Sequence, residues 1–217
     1  MNTETEQPIE SIKTKTWEIY LQIFTVFVIP IILINTGIIP IQYRVWTMGI
    51  LVAILLSILI KEKWTWHMLG LQNKTLKKYL LPYIIFTGIG VVGIIIFGEK
   101  TGQEEIARWW TYHHFIYGFF LVSLLQEVAY RGYLIPALGK ITNKPLTIVM
   151  VNTLLFTFLH TIFPNPMLGL PLAFIGGVGF SLMYLRFPNL PLIVLSHAVL
   201  NFVIVLYGFF VIPGITH

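Results

Sequence analysis

Seven runs of apolar residues, separated by short polar segments, divide this chain. They cover 17–36, 43–60, 79–98, 111–136, 146–162, 168–186 and 190–212. A helix needs ~20 residues to cross ~30 Å of hydrocarbon, and most of the runs are near that length. The pattern predicts an all-α membrane protein, a bundle of about seven transmembrane helices. The fourth run is long and the fifth short, which predicts tilt or a broken helix end. Segment 61–78 holds Trp64 and Trp66 beside several lysines, with Tyr79 just past its end, a mixture expected of an interfacial helix or aromatic belt. The glycines at 88, 90, 93, 176, 177 and 179 are expected to permit close helix contact.

Composition agrees. Of 217 residues, 56% are hydrophobic and 11% charged, too apolar for a soluble domain of this length. The chain has no Cys, so no disulfide framework or thiolate nucleophile is available. It also has no Asp, which excludes a Ser-His-Asp triad and an aspartyl dyad.

The net charge of +5 does not point to nucleic acid, because the basic residues sit between apolar runs and report topology. If seven helices alternate, Lys13, Lys15, Lys61, Lys63, Lys74, Lys77, Lys78, Arg131, Lys140, Lys144 and Arg186 share one side. Arg44, Lys100 and Arg108 fall on the other. That split predicts a plasma-membrane protein with a cytoplasmic N-terminus and an outer C-terminus. An Ile- and Lys-rich composition suggests a bacterial source. The first run is too long for a signal-peptide core and lacks a small-residue cleavage site, so it is read as an uncleaved helix. The chain divides into a polar tail (1–16), N-terminal helices and loops (17–110) and a core (111–212).

Within that core lies the candidate chemistry. Glu127 is the only side-chain carboxylate in 106–217, and it sits inside an apolar run. Two later runs each carry a histidine, His160 and His197. An ionisable group at membrane depth costs several kcal/mol unless paired or hydrated. Glu127 and Arg131, Phe156 and His160, and His197 and Asn201 are each four residues apart and so share a helix face. At ~1.5 Å per residue, Glu127 lies ~15 Å, His197 ~11 Å and His160 ~20 Å from the cytoplasmic ends of their runs.

Such a group can hydrolyse. A carboxylate can take a proton from water, and imidazole can assist, ligate a metal or hold an oxyanion. Asn201 can donate to that oxyanion, and Arg131 can neutralise Glu127. The plainer alternatives are an ion pair for Glu127 with Arg131, packing for Phe156, and helix-to-helix hydrogen bonds for the histidines and Asn201.

The three patterns resemble those of the CPBP (Abi) membrane protease family, which includes the CAAX prenyl endopeptidases and bacteriocin-processing enzymes. Its signatures are Glu-Glu-x-x-x-Arg, Phe-x-x-x-His and His-x-x-x-Asn on successive helices. Here they stand as Gln126-Glu127-Val128-Ala129-Tyr130-Arg131, Phe156-Thr157-Phe158-Leu159-His160 and His197-Ala198-Val199-Leu200-Asn201. The similarity covers about 115–205. It implies an endopeptidase that cleaves a peptide or membrane-protein substrate in or near the bilayer. Glu127 would be the base or its partner, and His160 would polarise water or ligate a metal. His197 with Asn201 would form the oxyanion site, with Arg131 in support. Zn²⁺ is a candidate cofactor, for which Glu127, His160 and His197 would suffice as ligands.

One position departs from the family. Its first Glu, assigned there as the base, is Gln126 here, and an amide accepts no proton at useful pH. Either Glu127 takes the role with Gln126 orienting water, or the fold is kept by a non-catalytic regulator or immunity protein, or Gln126 marks a trapped inactive form. A transporter is a third class, but no inverted repeat or broken helix pair accompanies the site. Glu104-Glu105-Ile106-Ala107-Arg108 mimics the first motif one residue short, in an outer loop beside Trp109 and Trp110. His113 and His114, at the start of the fourth run, are expected to be hydrated. His-Glu-x-x-His is absent. Gly179-Phe180-Ser181 with His197 is the nearest serine-histidine arrangement, without the flanks such a site needs.

Overall fold

A computed structural model describes residues 15–72, 75–107, 109–111, 113–163 and 166–209, with no side-chain description at 111 and 113–117. Expectations for most of the polar tail, and for Lys74, Arg108 and the side chains of His113 and His114, lie outside those residues. Among the described residues the chain is all helix and turn. The helices are α1 (Thr16–Asn35), α2 (Ile41–Lys61), α3 (Leu76–Thr101), α4 (113–139), α5 (Pro145–Ile162), α6 (Pro166–Arg186) and α7 (Leu190–Leu206). Five of them, α1, α2, α3, α5 and α6, are long and apolar enough to cross a membrane. α7 is apolar but shorter, at 17 residues. The expected bundle stands, and the protein is an integral all-α membrane protein.

α7 is central. It packs along α3 on one side and α4 on the other, while α5 pairs with α6. Position follows from composition. α7 is apolar all round, as a helix with neighbours on several sides must be. Large apolar side chains such as Ile50, Ile89 and Ile175 instead point out of the bundle, which suits a lipid-facing surface.

α4 breaks its register. An α-helical piece (His113–Glu127) passes into a π-helical one (Val128–Leu134) and then a short α-helical end (Ile135–Gly139). The irregularity expected of the long run is this π segment. α1 contains a second one, Phe24–Val28. The two meet: Phe27 lies edge-on to Tyr130 at 5.0 Å and stacks on Tyr133 at 6.3 Å.

Between α2 and α3, residues 62–72 form turns in place of the expected interfacial helix. Lys63 adopts φ 54°, which breaks helical continuation. Trp64 turns inward, stacks on Tyr133 at 5.8 Å and donates to Glu62 at 3.0 Å. Lys140 sits 4.4 Å over the Trp64 ring and 3.2 Å from Glu62. Gly70 must be glycine twice over. Its φ is 70°, and a Cβ there would land on the Tyr184 hydroxyl. The turn is pinned because Leu190 N–H donates to the Gly70 carbonyl at 2.9 Å and the Asn189 amide to that of Gln72 at 3.0 Å.

The other glycines divide. Gly90, Gly177 and Gly179 are sites of close approach to Leu200, Thr153 and Phe86. Gly88 and Gly93 face open space, and Gly176 has only ordinary contacts. A Cβ on Gly177 would lie 3.1 Å from Thr153 Cγ2 and 3.2 Å from its Cα, and backbone cannot yield as a side chain can. Gly177→Ala is therefore expected to destabilise by about 1–3 kcal/mol. Gly88→Ala should be neutral or stabilising by up to about 1 kcal/mol. Thermal unfolding of the two variants in one detergent checks this.

Candidate functional site

Glu127 sits where α4 passes from α- to π-helix, and it is fully buried. One of its oxygens, Oε1, accepts from Arg131 at 2.9 Å and from His197 Nδ1 at 2.6 Å. Arg131 is also fully buried. Its second amino group donates to the Gly177 carbonyl at 3.3 Å, tying α4 to α6. The guanidinium carbon lies 4.7 Å from the Phe156 ring centre and 5.2 Å from that of Phe180. The cation is thus held by one carboxylate, one carbonyl and two aromatic faces, each of which offsets part of its desolvation.

His197 lies between the same two rings, 4.6 Å from Phe180 and 5.7 Å from Phe156. Its Nδ1 faces a carboxylate, so that nitrogen carries the proton and Nε2 keeps the lone pair in the neutral ring. One turn further along α7, the Asn201 amide donates to Ser123 Oγ at 3.1 Å. Ser123 is itself fully buried and lies four residues before Glu127. Two rungs therefore join antiparallel α4 and α7, Ser123 to Asn201 and Glu127 to His197.

His160 begins the short 3₁₀ end of α5. Its Nδ1 contacts the Phe156 carbonyl at 2.8 Å. A carbonyl only accepts, so Nδ1 donates and Nε2 is again the lone-pair nitrogen. The ring packs on Phe156 at 4.7 Å. Phe156 thus stands between the two imidazoles, and the three patterns do converge.

Gln126 is the exception. It points away from His197 into a small cavity of about 50 Å³ bounded by α1, α2, α4 and α5. Its Oε1 is buried with no hydrogen-bond partner among the described residues. His197 and Asn201 instead line a larger cavity of about 430 Å³ between α3, α6 and α7. Phe86, Gly90, Pro171, Gly179 and Phe180 form much of its apolar wall.

The expected metal set is Glu127, His160 and His197. Among the described residues no three of His, Asp and Glu are grouped as ligands. Glu127 Oε1 is shared by two donors, and His160 Nδ1 is turned to a carbonyl. Both imidazoles keep an Nε2 lone pair, the atom a ligating histidine uses when its Nδ1–H is hydrogen-bonded to a carboxylate or a carbonyl. Ser181 is not paired with His197 either. Its hydroxyl lies 2.6 Å from the Gly177 carbonyl and 3.0 Å from Asn152 Oδ1. Glu105, of the false first motif, accepts from the Tyr207 hydroxyl at 3.1 Å.

Sequence reasoning missed Ser123, Asn152 and Phe180. Buried polar residues inside apolar helices were the available signal for the first two. Nothing in the chain distinguishes Phe180 from the other phenylalanines.

Removing Arg131 would leave Glu127 buried with no guanidinium beside it. Arg131→Leu is expected to destabilise by about 3–5 kcal/mol. Adding Glu127→Gln should recover part of that loss. A double-mutant cycle by thermal unfolding measures the coupling.

The centre can be compared with known proteins. No curated protein and no solved structure matches the chain. Residues 108–203 match the family described as type II CAAX prenyl endopeptidase, Rce1-like. That segment contains Glu127, Arg131, His160, His197 and Asn201, and it is what this all-α membrane protein has in common with that protease family.

Proposed function

We propose that the protein is an intramembrane endopeptidase of the CAAX-processing type, with His197 as its general base and Glu127 as the group that orients it. The reading is carried by one observation: His197 gives Nδ1 to Glu127 at 2.6 Å while its ring lines the 430 Å³ cavity. Its Nε2 lone pair takes the proton as water attacks the scissile carbonyl. The same proton then passes to the leaving amine. Proton transfer of this kind contributes about 10²–10⁴-fold. One Asn201 N–H is held by Ser123, and the other is offered to the oxyanion, a donor worth about 10²–10³-fold. Arg131 holds Glu127 in place. No step passes through a metal.

The substrate is a peptide segment that enters the membrane, a leader peptide, a pheromone precursor or a membrane protein. The apolar cavity wall between α3 and α6 supports entry from the bilayer side. The charge split between loops supports a cytoplasmic N-terminus, and the Ile- and Lys-rich composition supports a bacterial plasma membrane.

A second reading has its own support. Gln126, an amide at the family's first-Glu position, faces the opposite cavity. A non-catalytic regulator or immunity protein would keep the Glu127–Arg131–His197 centre as structure alone.

Mass spectrometry of peptide termini in membranes carrying the chain and its variants decides between the two. The endopeptidase reading expects new termini with the natural chain, reduced about 10²–10⁴-fold by His197→Ala and lost in Glu127→Ala. Termini that arise only in Gln126→Glu would establish the second reading, and termini unaffected by His197→Ala would overturn His197 as the base.

A further inference from the structure

The π segment of α4 is held by a hydrogen-bonded ring, none of whose members lines the larger cavity. Within the segment, Ile135 N–H donates to the Tyr130 carbonyl five residues back. That carbonyl also accepts from Asn152 Nδ2, on α5, at 2.7 Å. Asn152 is fully buried, and its Oδ1 accepts from Ser181 Oγ, on α6, at 3.0 Å. Ser181, fully buried as well, also lies 2.6 Å from the Gly177 carbonyl, so its one hydroxyl proton is shared between that carbonyl and Asn152 Oδ1. The Gly177 carbonyl then accepts from Arg131 at 3.3 Å. The ring closes on the residue after Tyr130.

A π turn is rare and carries one extra residue. Loss of that residue's insertion would rotate everything past Tyr130 by up to about 100° relative to Glu127. Arg131 would leave Gly177 and the Phe156 and Phe180 faces, and Glu127 would lose its orientation toward His197. We propose that Asn152 and Ser181 are positioning residues, which lock the π register of Val128–Leu134 and thereby hold Arg131, Glu127 and His197 in their reactive arrangement. Asn152 acts on the backbone, and Ser181 fixes which way the Asn152 amide points. Its Oδ1 accepts from Ser181, so its Nδ2 is left for Tyr130. The close approach of α5 and α6 at Gly177 makes this short bridge possible.

The proposal rests on the endopeptidase reading where peptide release is the readout, so a second readout is needed. The test uses the full chain in detergent, as the natural form and as Asn152→Leu, Ser181→Ala and Ser181→Thr. Peptide release is followed against pH, and the histidine Nδ1 protons by NMR with ¹⁵N-histidine labelling. The chain has six histidines, and His197→Gln assigns the His197 signal. Asn152→Leu should lower kcat about 10²-fold with KM nearly unchanged, and the low-field His197 proton should move. Ser181→Ala should do both to a smaller degree, and Ser181→Thr, which keeps the hydroxyl, should restore both.

An unchanged pH profile and an unmoved His197 proton in a folded Asn152→Leu would overturn the proposal. If that variant does not fold, Ser181→Ala with Ser181→Thr decides in the same terms. If the natural chain releases nothing, the endopeptidase reading falls alone. A shifted His197 proton in the variants then still supports the positioning role, and an unmoved one overturns it.

Discussion

A single carboxylate oxygen, Glu127 Oε1, holds the protein's centre together. It accepts from Arg131 on its own helix and from His197 on α7, with all three groups buried. Taking such ions from water costs several kcal/mol each, even after relaxation. The surroundings are arranged to offset that cost. Arg131 gains the Gly177 carbonyl and the faces of Phe156 and Phe180, and His197 is held between the same rings. Four helices, α4, α5, α6 and α7, are thereby committed to one geometry.

That geometry separates two kinds of space. Gln126 and Glu127 are adjacent in sequence, yet Gln126 lines the small α1–α2–α4–α5 cavity while His197 and Asn201 line the larger one against α3 and α6. Adjacent residues on a helix lie about 100° apart, so the two cannot serve the same face. The carboxylate itself is in neither cavity. His197, whose proton-bearing nitrogen Glu127 fixes, links the carboxylate to the larger cavity. The glycines on α3 and α6 leave room for that cavity, since Gly90, Gly93, Gly176 and Gly179 all line it.

The loop ends show the same economy of polar groups. In the 62–72 turn, Glu62 serves Trp64 and Lys140, and it lies 3.4 Å from Gln22 of α1. Tyr133, at the end of the π segment, stacks on Trp64 and hydrogen-bonds to Gln22. The Trp64 position, read from the chain as a membrane-interface anchor, is an internal packing position. Its neighbour Trp66 remains exposed. Composition cannot distinguish the two, because both flank lysines and both lie just past an apolar run.

The sequence alone determined the class and the layout. Apolar runs of near-membrane length specify seven helical spans, because an unpaired backbone is too costly in lipid for any other solution here. It also determined which residues are exceptional. Glu127, Arg131, His160, His197 and Asn201 stand out because ionisable and amide groups are expensive in apolar helices. Only the tertiary structure decided how they pair. That Asn201 is tied to Ser123, that Phe156 separates His160 from His197, and that Gln126 and His197 line different cavities all depend on helix rotation and on the π register of 128–134. Those follow from long-range contacts such as Asn152 to Tyr130, whose partners are 22 residues apart and share no local pattern.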